Sequence, residues 1–150
     1  MAVFRFGLEK VLEHRRRLVD LRARDLAAAE SRAASLTGRI AAVRAEQDRC
    51  EDDGGTGDLD VRRLAARTAW IARLDGVAAR LEQERKVALA AVGAARAALQ
   101  EAWREREVLV QLRERRHGEW LAERNRREIA ELDEIGGLRH ARATATEAAG

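Results

Sequence analysis

The sequence is defined first by what it lacks. It has no proline and no tyrosine, only two Phe and three Trp, and a single cysteine in 150 residues. Without proline, nothing in the chain fixes a helix break through a missing N–H. With one cysteine, Cys50, an intrachain disulfide framework is excluded, and the usage suits a reducing cytosol. The N-terminus lacks an apolar signal core, and no run approaches the ~20 apolar residues that span a bilayer. Direct membrane insertion is therefore not expected. The scarcity of large side chains argues against a globular core, because much of the 46% apolar content is alanine.

Recognisable chemistry is equally sparse. His14, His117 and His140 are scattered, and neither HExxH nor CxxC occurs, so no metal is expected. No GxxxxGK[ST] or GxSxG is present, which leaves no signal for a phosphate-bound cofactor or a serine nucleophile. The acidic group Glu51, Asp52, Asp53, Asp58 and Asp60 does not have the spacing of a calcium loop and reads as a solvated turn. The sequence predicts no enzyme, no cofactor and no catalytic residue.

What remains is alanine, leucine, glutamate and arginine, with 37% of residues charged. That composition is typical of long helices and coiled coils. Disorder is the competing reading of so much charge, but the apolar residues recur at helical spacing. From Leu8, steps of four and three reach Cys50 without a slip, and ten of the thirteen positions are apolar. A second seam runs from Leu64 to Leu109; the same count carried further meets Arg113, Arg116, Trp120, Glu123 and Arg127, and the apolar line fades.

Between the seams lies CEDDGGTGDLD, whose glycines and aspartates break the periodicity. Asp58 is the expected N-cap of the second helix, with Asp60 in its first turn. The reading is an all-α fold: a long antiparallel two-helix coiled-coil hairpin whose C-terminal helix overhangs. Helix 1 is expected over about 4–51, the turn over 52–58, and helix 2 over about 59–135. Gly136 and Gly137 supply a stop, and a flexible tail covers 138–150. Gly38, Gly76, Gly93 and Gly118 sit inside the helices at a cost of about 1 kcal/mol each.

With the turn centred near Gly55, facing residues would sum to about 110, so Phe4 would lie opposite about Arg106. Phe4, Phe6 and Trp103 are then expected to close the open end of the hairpin. Trp120 falls in the overhang without an intrachain partner, which marks it as an interface anchor. A free helix of that length is marginal in water, so the overhang needs short-range Glu–Arg pairs or a partner.

Charge argues against nucleic acid as that partner. The pI is about 9.9 and Arg15, Arg16 and Arg17 are consecutive, yet residues 103–128 hold eight arginines against six glutamates. Phosphate attraction requires a stronger excess of one sign. A generic, tightly dimerising scaffold and the central-stalk subunit of a rotary ATPase are also compatible with the hairpin, although the chain is expected to be a monomer or only weakly self-associating.

FRFGLEKVLEHR (residues 4–15), AWRERE (102–107) and RREIAELDEI (126–135) resemble the flagellar type III export protein FliJ family. The resemblance covers essentially the whole chain. It implies a non-enzymatic, cytoplasmic component at the inner face of the cell membrane at the flagellar base. The implied partners are the hexameric flagellar export ATPase, the membrane export gate protein and export chaperones. The family is similar to rotary-ATPase stalks. In this sequence that assigns Leu109, Leu112, Arg113, Arg115, Arg116, Trp120, Arg124 and Arg127 to the ATPase ring. Val43, Trp70 and Ile71 fall nearer the gate-facing end. The stretch DDGGTGD matches nothing in the family pattern.

Overall fold

A computed structural model describes residues 3–52 and 60–148, with side chains to residue 139. The chain is all-α: helix α1 spans Glu9–Asp52 and helix α2 spans Val61–Ala148, packed against each other as a helical hairpin. Among the described residues there is no strand.

The helices differ at their ends from the sequence-based expectation. α1 starts at Glu9 rather than near residue 4, because the chain turns at Gly7 and Leu8, with the Glu9 N–H donating to the Phe6 carbonyl. Residues 3–6 precede it without regular structure. At the start of α2, Asp60 is the cap: its Oδ1 accepts from the Arg62 N–H at 2.9 Å. Asp58 and most of the expected turn lie outside the described residues. α2 runs through Gly136 and Gly137 to Ala148 instead of stopping there. Both glycines keep negative φ, so neither forms the left-handed C-cap that would end the helix.

The helices form two compact units, Arg17–Trp103 and Met1–Arg16 with Arg104–Gly150. The Arg17–Trp103 unit holds the apolar centre, in which Ala33, Leu36, Ile40, Leu81, Ala88 and Val92 are buried together. Leu26, Ala29, Val43 and Val77 pack around them. All of the α1 members lie on the four–three seam, so the heptad pattern alone selects the buried face. Ion pairs bridge the helices here: Glu30 with Arg96 at 3.1 Å, and Arg44 with Glu82. Gln47 donates to Asp75 at 2.6 Å. These paired numbers sum to 126, 126 and 122, so the register differs from the expected 110. Residues 61–66 of α2 are all exposed, and the first partly buried seam position is Arg67. The hairpin pairing therefore begins more than one turn into α2, which is why the sum is larger.

One seam position is unfavourable. Arg85 brings its Nε into the apolar layer, where that atom has no hydrogen-bond partner. Leaving such a group unpaired costs about 1–3 kcal/mol. The interior glycines are not explained by close packing, since a Cβ at Gly38, Gly76 or Gly93 would meet nothing within 4 Å.

Candidate partner-binding surface

The unit formed by residues 1–16 and 104–150 contains most of the residues marked for partners. Leu12 is fully buried in it. Ion pairs join the helices, among them Glu9 with Arg113 at 3.0 Å and Arg15 with Glu105. Their numbers sum to 122 and 120. Phe4 consequently meets α2 well beyond Arg106.

The N-terminal residues lie along α2 as a short strap. Phe4 packs edge-on to His117 at 5.0 Å between ring centroids and meets Trp120 at 6.0 Å. His117 and Trp120, one helical turn apart, stack at 6.0 Å. The Arg124 guanidinium sits 5.6 Å from the Trp120 ring centre, within cation–π range. Residues 3–8 with Leu112, Arg116, Glu119 and Trp120 enclose a groove of about 510 Å³. This arrangement corrects the expected aromatic closure. Phe4 and half-buried Phe6 belong with Trp120, whereas Trp103 lies in the other unit with 46% of its surface exposed. Trp120 has an intrachain partner, contrary to expectation. His117, which the sequence analysis considered only as a possible metal ligand, completes the cluster; its position three residues before Trp120 was the available signal.

The remaining ring-assigned residues divide by burial. Leu109 and Leu112 are half-buried, extending the seam a short way. Arg115 and Arg116 are exposed, and Arg113 is held by Glu9. Beyond Trp120, every described residue of α2 is exposed, from Leu121 to Arg139. In this arm, Arg124 pairs with Glu128 at 2.8 Å and Arg127 with Glu123 at 3.1 Å, both four residues apart. Arg126 reaches Glu123 at 3.4 Å. Such pairs contribute about 0.2–0.5 kcal/mol each to an isolated helix, so they support the arm without covering it. Ile129, Leu132, Ile135 and Leu138 remain exposed apolar side chains in the same arm. They were not among the residues marked from sequence, although their three-residue steps were legible in RREIAELDEI.

The gate-assigned residues lie in the Arg17–Trp103 unit. Val43 packs on the apolar centre and Ile71 is half-buried on the seam. Trp70 is exposed, with the Arg73 guanidinium 5.8 Å from its ring centre. Only Trp70 of the three presents a large free face. The same unit carries a second groove of about 390 Å³ along Ala29, Arg80, Val87, Ala88 and Ala91.

Among the described residues, no group of three His, Cys, Asp or Glu side chains could hold a metal. No described helix is long and apolar enough to cross a membrane. The arrangement leaves exposed an arm of α2 that carries large apolar side chains, and the Trp70 ring beside Arg73.

The family model described as Flagellar FliJ protein matches residues 4–145, nearly the whole chain. Neither the curated proteins nor the solved structures provide a match.

Proposed function

This chain belongs to the FliJ family of flagellar export components, and from that premise we propose that its exposed C-terminal arm binds the hexameric export ATPase. The family is non-enzymatic, and of the readings compatible with a long hairpin it selects the flagellar one. The observation that supports the ring assignment is the state of α2 beyond Trp120. All described residues from 121 to 139 are exposed, and they include five large apolar side chains. A helix that lacks a partner over that length gains most from one supplied by another protein.

In this reading Leu109 and Leu112 sit where the hairpin ends. Arg113, Arg115, Arg116, Arg124 and Arg127 provide charge that can exchange partners between neighbouring surfaces of a ring. Trp120 anchors the contact, joined there by Phe4 and His117. The other unit turns its loop end to the membrane export gate, with Trp70 as the contact and Val43 and Ile71 shaping the helix pair beneath it. Export chaperones are bound in turn at the same apparatus, on its cytoplasmic side.

Purified chain added to the export ATPase is expected to raise both hexamer formation and ATP hydrolysis. A chain ending at Trp120 keeps the described hairpin contacts and should lose most of that stimulation. If the truncated chain stimulates fully, the arm is not the ring-binding element. If the intact chain changes neither quantity, the ATPase assignment itself fails.

A further inference from the structure

The arm carries a second seam, out of step with the one that closes the hairpin. Gly118, Leu121, Asn125, Glu128, Leu132 and Ile135 follow at steps of three and four. They therefore share one face of α2. At about 100° per residue, the centre of that face lies roughly opposite Leu112, Arg116 and Glu119 and about a third of a turn from Trp120, while His117, on which Phe4 packs, borders it on the Ile135 side. Leu121, Leu132 and Ile135 are exposed on it, and Ile129 is exposed at its flank. Apart from the Phe4–His117 contact at its edge, the intrachain pairing leaves this face exposed.

We propose that this face is a homotypic interface on which a second copy of the chain docks its own arm antiparallel. The choice of occupant follows from charge and size. A parallel pair would place like on like, stacking Glu128 on Glu128 in the middle of the seam. An antiparallel pair with facing numbers summing to about 253 avoids this. Leu121 then meets Leu132 of the second copy, Asn125 meets Glu128, and Gly118 meets Ile135. Each contact occurs twice by the two-fold symmetry. The Asn–Glu layer can hydrogen-bond, and the Leu–Leu layers are apolar on both sides. A Cβ at Gly118 would meet nothing within 4 Å of its own chain; the glycine leaves space that Ile135 of the second copy fills.

The flanking charges agree with the same register. Arg124 would face Glu131 of the second copy, again twice. Within one chain Arg124 already bonds Glu128, while Glu131 makes no hydrogen bond or ion pair among the described residues. The arm is basic at Arg124, Arg126 and Arg127 and acidic at Glu131, Asp133 and Glu134. Reversing one copy against another sets those two blocks side by side. The pairing involves few apolar layers, so it is weak and concentration-dependent, and it holds whether or not the ATPase assignment is correct.

Sedimentation of the full chain across a concentration series tests the proposal. The mass should rise from 16.7 kDa toward twice that value. Arg124→Glu and Glu131→Arg should each lower the dimer fraction, and the two substitutions combined should restore it. Direction is read by disulfide trapping in a Cys50→Ser background. A mixture of Leu121→Cys and Leu132→Cys chains should cross-link, whereas Leu121→Cys alone should not. Circular dichroism of each variant checks that helix content is unchanged. A mass that stays at 16.7 kDa throughout, a charge reversal that fails to restore association, or self-linking of Leu121→Cys would overturn the interface.

Discussion

Leu36 and Leu132 are the same residue in two environments, and replacing each by alanine separates the packed part of the chain from the free part. Leu36 is 4% exposed among Ile40, Leu81, Ala88 and Val92, whereas Leu132 is 67% exposed on the arm. Leu→Ala removes three carbons; at about 0.8 kcal/mol per buried CH₂ the lost transfer energy at residue 36 is roughly 2.4 kcal/mol. Buried Leu→Ala substitutions cost roughly 2–5 kcal/mol once the cavity is included. A seam between only two helices has its flanks open to water, which limits the cavity contribution and places the expected cost near the lower end. We therefore expect Leu36→Ala to destabilise by about 2.5 kcal/mol, a shift of about 60-fold in the unfolding equilibrium. Leu132→Ala should stay within about 0.5 kcal/mol, as exposed substitutions do. The assay is urea unfolding of dilute protein followed by far-UV circular dichroism, with the slope compared to ensure the same transition is measured. Equal losses at the two positions would refute the reasoning, because they would mean that the arm is packed within its own chain.

Two further outcomes follow from single contacts, and two from missing ones. Asp60→Ala should cost about 1 kcal/mol and Asp60→Asn much less, since the Oδ1 bond to the Arg62 N–H survives in asparagine; amide exchange at residues 61–64 reports it. Phe4→Ala and Trp120→Ala, combined in a double-mutant cycle, should show about 0.5–1.5 kcal/mol of coupling from the ring contact. Zero coupling would remove the strap. Gly93→Ala should stabilise by about 1 kcal/mol, because the added Cβ meets nothing within 4 Å; a lower melting temperature would contradict this. Arg85→Met should also stabilise, by about 1 kcal/mol, by taking an unpartnered Nε out of the seam while keeping the apolar stem, as read from the midpoint of denaturation.

Legibility varied with the kind of information each feature required. Every α1 position from Leu12 to Cys50 on the four–three count is buried or partly buried. In α2 the same is true from Arg67 to Leu109, after which Arg113 and Arg116 are exposed. The fading of the seam was thus visible in the sequence, because burial of a helical face depends only on which residue types recur at 3.5-residue spacing. The N-terminal strap was not visible. Residues 3–6 carry two phenylalanines that suit helix and extended chain alike, and Gly7 decides between them only once Phe4 has His117 and Trp120 to pack on. Gly136 and Gly137 misled in the other direction: a local stop signal costs about 1 kcal/mol per residue, which a long helix absorbs.

Residue types and their spacing are enough to show that this protein is two long helices, which face of each is buried, and that it belongs with flagellar FliJ proteins. The tertiary structure alone decided the register. A heptad seam looks the same after sliding by seven residues, so apolar periodicity cannot choose among alignments. Glu30 with Arg96 and Gln47 with Asp75 fix the choice in one unit, and Glu9 with Arg113 in the other. Register in turn decides which side chains meet: it carries Phe4 past Arg106 to His117 and Trp120, and leaves every described residue of α2 beyond Trp120 exposed.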